Sequence, residues 1–173
     1  DTKIYRLTPL VFELGHAALA SMGLPKLAEP LMDKLATARG VTVNLARLDH
    51  VEIVMVARAF AGQDKFVPTP IRIDVGERLP VLLTALGRIL LAEGAADAEA
   101  CFAVPIIAPA PRALTDRRRL MAAIQQAGRQ GYAVVDGELV DGWISCAISM
   151  WRRNEAPYAL SVTANAQHFT LRA

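Results

Sequence analysis

The apolar residues of this chain change period at Gly40, and that change limits the fold more than any other feature. Before it, Leu10, Val11, Leu14, Ala18 and Leu19 recur at helical spacing, which predicts a helix over Thr8–Ser21. Met22-Gly23 interrupts it, and Pro25 suits the first turn of a second helix that carries Leu27, Leu31, Leu35 and Ala38 to about Arg39. Gly40 provides the C-terminal cap. After it, Val41, Val43 and Leu45 alternate with Thr42 and Asn44, the period of a strand that runs to Leu48. Asp49-His50 makes a turn, and Ile53–Ala57 reads as the partner of that strand.

The remaining segments continue the mixture. Ile71–Val75 predicts a third strand ended by Gly76. Leu82–Leu91 predicts a helix, and Ala96–Phe102 a shorter one. The three prolines between Val104 and Pro111 predict a surface loop. Thr115-Asp116 opens a helix that runs to Gln130 and stops at Gly131. Tyr132–Val135, Ile144–Met150 and Tyr158–Ala164 predict three more strands, with Asn154-Glu155 in the turn between the last two. The order is helix, helix, strands, helices, strands. That is neither a βαβ alternation nor an all-β meander, so the expected class is α+β: one antiparallel sheet of about six strands flanked by helices.

Composition closes off several functions. The chain has 173 residues, enough for one domain with a real core. No apolar run reaches the roughly 20 residues of a membrane span, and DTKIYRLTP lacks the layout of a signal peptide, so a cytoplasmic location is expected. A formal charge of +2 is too small to argue for nucleic-acid binding by this domain. The cluster Arg117–Arg119 opens a helix, and reads as a solvated face or as a contact for an acidic partner. Cys101 and Cys146 lie far apart, and His16, His50 and His168 form no pattern with them, so no metal or cofactor motif is present. No nucleophile elbow occurs either.

Three stretches could hold a ligand. In Gly76–Ala92, Thr84 suits an N-cap that would leave the amides near Ala85 and Leu86 open to a carboxylate, with Leu79, Leu83, Leu86 and Ile71 as apolar walls. Gly87 would allow a close backbone approach. The alternative is a helix that begins at Pro80, with Thr84 in its interior. In Gly131–Met150, Asp136 could bond a ligand or orient a loop amide. Cys146 could face a pocket or serve as a small buried hydrophobe, and Glu138 and Asp141 read as exposed loop carboxylates. In Pro157–Ala166, Ser161 and Thr163 share a strand face that is either a pocket floor or an ordinary polar surface.

YRLTPLVFELG, GERLPVLLTALGRILLA, GYAVVDGELVDGWISCAISM and PYALSVTANA occur in that order and at spacings that resemble the IclR family of bacterial transcription regulators. The opening segment resembles members that control aromatic-acid catabolism, such as protocatechuate and hydroxybenzoate regulators. The resemblance covers nearly the whole chain. It implies a GAF-like effector-binding domain over residues 23–173. It further implies that residues 1–22 are the end of a wing and a linker helix, joined to a winged helix-turn-helix outside this sequence. The family's terminal helix would be missing or only begun at Ala166–Ala173. The implied pocket places a carboxylate on the amides of Ala85 and Leu86, lines it with Ile71, Leu79 and Ile144, and draws polar contacts from Thr84, Asp136, Cys146 and Ser161. The implied partners are a small organic acid, other copies of the chain in a dimer or tetramer, and DNA only through the outside segment; no membrane, cofactor or catalytic residue is implied. The competing expectation is a small enzyme or metal-binding sensor that uses Cys146 and Asp136.

Overall fold

The computed structural model describes residues 6, 8–61, 73–151 and 155–167. Helix α1 spans Leu10–Ser21 and α2 spans Gly23–Arg39. Gly40 ends α2 in the left-handed region (φ 65°), where its amide bonds the carbonyl of Ala36. Strands β1 (Thr42–Asp49) and β2 (Glu52–Ala59) then form the expected hairpin. Short β3 (Arg78–Pro80), the 3-10 turn Val81–Leu83, α3 (Ala85–Ala92), α4 (Ala98–Cys101) and α5 (Arg117–Gln130) follow. The chain closes with β4 (Ala133–Asp136), β5 (Trp143–Met150) and β6 (Tyr158–Asn165).

Among the described residues six strands join one antiparallel sheet in the order β3-β2-β1-β6-β5-β4, the α+β arrangement that the order of periods implies. The sheet separates two cores. On one face α3 and α5 bury Ile53, Met55, Ile89, Leu90, Leu120, Ala147 and Ala159. On the other α2 packs Ala28, Met32 and Ala36 against Val43, Leu45, Ala57 and Tyr158. Alternate residues of β1 therefore serve opposite cores, as a pleated strand requires.

The hairpin contains one irregularity. Leu45 pairs with Ala57, but Ala46 pairs with Met55, so Val56 is an extra residue on β2. Such a bulge reverses which face the following side chains meet. Met55 faces the α3 side, Val56 and Ala57 both join the α2 side, and the α3 side is regained at Arg58.

The third strand departs from expectation. It forms at Arg78–Pro80, whereas Ile73–Val75 lies outside any strand; residues 71 and 72 are outside the described segments. The cause is a turn at Gly76 (φ 91°), whose amide bonds the Met55 carbonyl while the Met55 amide bonds the Glu77 carbonyl. Regular pairing with β2 begins only beyond that turn. The predicted turn at Asn154-Glu155 and the segment after Gln167 lie partly or wholly outside the described residues.

The Leu82–Leu91 segment is divided in two at Thr84. That residue is extended (φ −119°, ψ 146°), and its hydroxyl accepts a hydrogen bond from the Gly87 amide at 3.0 Å. The turn before Thr84 folds back so closely that a Cβ on Gly87 would stand 2.0 Å from the Val81 carbonyl oxygen. Only glycine permits this approach, because the obstruction is backbone. Gly87→Ala is expected to destabilise the domain by about 2 kcal/mol or more, read as a lower urea midpoint at unchanged slope. A midpoint equal to wild type would show that the turn and helix can separate freely.

Candidate functional site: a cavity between the sheet and helix α3

A cavity of about 570 Å³ lies between the sheet and the start of α3. That volume suits a small organic molecule, for which pockets of about 300–1,000 Å³ are usual. Its walls are mostly apolar: Met55, Leu79, Leu83, Leu86, Val135, Leu139, Val140 and Trp143. The N-terminal turn of α3 enters it through Thr84, Ala85 and Leu86. The amides of Ala85 and Leu86 begin the helix and so lie beyond its internal hydrogen-bond ladder. Among the described residues, no backbone hydrogen bond ties either amide to another element.

The floor is a polar ladder across four neighbouring strands. Arg58 on β2 pairs with Asn44 on β1, which pairs with Ser161 on β6; Thr163 on β6 pairs with Ser145 on β5. Arg58 Nε donates to Asn44 Oδ1 at 2.9 Å. A guanidinium can only donate, so this bond fixes the orientation of the Asn44 amide. Asn44 Nδ2 then donates to Ser161 Oγ and Thr163 Oγ1, each at 3.2 Å. The Thr163 hydroxyl donates in turn to Ser145 Oγ at 3.1 Å. The Ser161 and Ser145 oxygens accept within the ladder, so their own protons remain to be donated. Ser161 is 1% exposed and lies in the lining of the cavity.

A second polar feature holds the roof in place. Arg88 of α3 is 2% exposed. Its Nε donates to the Leu82 carbonyl at 2.8 Å, and its two terminal nitrogens grip the Glu138 carboxylate at 2.8 and 2.5 Å. Glu138 also accepts from the Leu114 amide at 3.1 Å. Arg88 thereby joins the 3-10 turn, α3 and the loop that carries Leu139 and Val140 into the cavity wall.

The residues singled out in the sequence fall into three groups. Leu79, Thr84, Ala85, Leu86 and Ser161 all line the cavity. Ile71 lies outside the described residues. Asp136, Ile144 and Cys146 are not in the lining. Val135 on β4 and Trp143 and Ser145 on β5 face inward, so their neighbours Asp136, Ile144 and Cys146 face the other way. Ile144 packs with the α2-side core. Asp136 is paired instead with Arg112 at 2.8 Å. Glu138 corrects a further expectation, because this loop carboxylate is largely buried and partnered. Asn44, Arg58, Ser145 and Trp143 belong to the cavity without having been singled out. Asn44 could have been found from the alternation around Val43, but Ser145 and Arg58 could not: β5 (WISCAISM) reads alike on both faces, and the bulge reverses the face of Arg58.

The alternative chemistry finds little support in this geometry. Burial pushes the Cys146 thiol above its ordinary pKa, which lowers its thiolate fraction at neutral pH. No group of three or more His, Cys, Asp or Glu side chains that could hold a metal occurs among the described residues. The basic cluster is also partly committed: Arg117 pairs with Glu99 and lies over the Phe102 ring at 4.9 Å. No described helix is long and apolar enough to cross a membrane.

Residues 16–173 match the family described as Bacterial transcriptional regulator IclR C-terminal. The chain belongs to this family. The Pca regulon regulatory protein of Pseudomonas putida is 35% identical over 153 residues, which cover 87% of this chain and 52% of that protein. A Rhodococcus sp. RHA1 protein described as a transcriptional regulator superposes with a TM-score of 0.80 at 31% identity, over 95% of this chain and 67% of that one. The inducer-binding domain of PobR from Acinetobacter, a double mutant in complex with 3-hydroxybenzoic acid, shares the fold with a TM-score of 0.73 at 22% identity, over 84% of this chain and 85% of that one. The IclR-family relatives are named as transcriptional regulators, not enzymes. This chain spans about half the length of such relatives.

Two outcomes follow from the site's construction. Arg88→Met strands the Glu138 carboxylate and should cost about 3–5 kcal/mol, whereas Arg88→Met combined with Glu138→Leu should recover most of that loss in chemical denaturation. Equal losses in the single and double variants would contradict the pairing. Alkylation of Cys146 should be slow at neutral pH and, once complete, should leave the affinity of the cavity for its ligand unchanged. Loss of binding on alkylation would return Cys146 to the site.

Proposed function

We propose that this domain is the sensing part of a longer, cytoplasmic IclR-type regulator, and that its cavity binds a small organic acid with an apolar, aromatic body. One observation supports the reading: the lining joins the first residues of α3 to a row of polar side chains on the sheet, with apolar walls between them. The Ala85 and Leu86 amides stand at the positive end of α3, and the Ser161 and Ser145 hydroxyls rise from the floor. Apolar walls between them suit a ring or short hydrocarbon. The names of the relatives agree, since one governs a Pca regulon and another fold relative is an inducer-binding domain in complex with 3-hydroxybenzoic acid.

In the intact regulator, residues 1–22 serve as the end of a wing and a linker helix, and residues 23–173 form the effector domain. The acid binds one arrangement of a dimer or tetramer more tightly than another, and that difference in affinity is what changes DNA binding by the outside segment. The start of α3 is the sensing element. It touches the ligand, while Arg88 passes any displacement to the Glu138 loop.

Thermal unfolding of this domain with 3-hydroxybenzoate, 4-hydroxybenzoate, benzoate and short aliphatic acids tests the reading. An acid at 100 times its dissociation constant should stabilise the fold by about 2.7 kcal/mol. Ser161→Ala should weaken that acid about tenfold with little change in the melting point of the free domain. Silence across the whole panel would sink the proposal.

A further inference from the structure

The Val56 bulge has a chemical consequence. Without it, the face shared by Ile53 and Met55 would continue through Ala57 and Ala59, and Arg58 would point toward α2. With it, Ala57 and Ala59 join the α2 core, and Arg58 and Phe60 line the cavity. Bulges beside binding sites characteristically re-aim a side chain in this way. Here the side chain brought in is the only cation among the described lining residues.

The guanidinium is also held in a defined pose. Its Nε is committed to Asn44, and its plane lies over the Phe60 ring, 4.6 Å from the centroid. Removal from water pushes the Arg58 pKa down, and the negative charge of Asp74, at the same part of the lining, pulls it up. An arginine keeps its charge under such shifts. Asp74 offsets part of that charge, and the half-buried guanidinium still acts on an anion through less water than an exposed one does.

We infer that Arg58 is the specificity-determining residue that makes this cavity prefer an ionised acid to its uncharged analogue. The inference rests on the organic-acid reading above and assigns its charge recognition to a residue outside the start of α3. The remaining donors make this distinction only in part, through charge-assisted bonds and the helix dipole. Amide and hydroxyl donors bond a neutral carbonyl as well as a carboxylate, though less strongly. A full positive charge adds a contribution that a neutral carbonyl does not draw on.

Calorimetric titration of the domain with three matched pairs tests this: benzoate and benzamide, 3-hydroxybenzoate and 3-hydroxybenzamide, 4-hydroxybenzoate and 4-hydroxybenzamide. The wild type should favour the acid of the pair it binds. Arg58→Gln keeps a donor for Asn44 but removes the charge. It should weaken the acid about 10- to 100-fold and move the amide by less than about threefold. Arg58→Lys should recover part of the preference, because it keeps the charge without the planar fork. Ser161→Ala, in contrast, should weaken acid and amide together. If Arg58→Gln, folded by its circular dichroism, keeps the wild-type ratio of acid to amide affinity, the inference is overturned. If Arg58→Gln does not fold, Arg58→Met, which also removes the charge, is read in its place, and an unchanged ratio there is equally fatal. If the wild type binds no acid of the panel, the organic-acid reading itself fails, a result separate from a binder whose preference ignores Arg58.

Discussion

The contact between Arg88 and Glu138 organises the walls of the cavity. A guanidinium buried to this degree is tolerable only when its donors are met, and here the Leu82 carbonyl and both oxygens of Glu138 meet them. The partners come from the turn before α3 and from the loop between β4 and β5, segments some 50 residues apart in the chain. The start of α3 is thus held from both sides: by Arg88 toward the loop, and by the Gly87 approach and Thr84 cap toward the turn. Its first residues, Ala85 and Leu86, line the cavity, and among the described residues no backbone hydrogen bond ties their amides to another element.

The sheet contributes through parity. On β1, Thr42 and Asn44 face the cavity while Val43 and Leu45 face α2. On β6, Ser161 and Thr163 do the same between Leu160 and Val162. Adjacent strands bring these polar positions side by side, and the directed hydrogen bonds from Arg58 to Ser145 turn separate hydroxyls into one floor. A floor of this kind is costly to bury in an empty apolar pocket and useful where a ligand completes its bonding.

Much of this is legible in the residues, and the exceptions have physical causes. The change of period at Gly40, the cap at Thr84 and the need for glycine at position 87 are local matters, decided within a few residues, and each can be read directly. The order of periods implies the α+β sheet, and the family resemblance adds its place in a regulator. Strand parity was harder. Trp143, Ser145 and Ala147 look no more like an inner face than Ile144, Cys146 and Ile148, so Cys146, Asp136 and Ile144 were brought to a cavity they turn away from. Arg58 was hidden by one extra residue in its strand, and Glu138 by a partner 50 positions away. Local propensity cannot report either.

In the proposed function, the donors at the start of α3 and on the sheet floor hold one acidic ligand between them. Amide chemical-shift mapping during titration with the hydroxybenzoate that binds best tests this most directly. Saturable shifts are expected at Ala85, Leu86 and Ser161, with Ala28 and Ala36 on the far side of the sheet unmoved. Shifts centred on α2 and the outer face of β5, with the start of α3 silent, would contradict it.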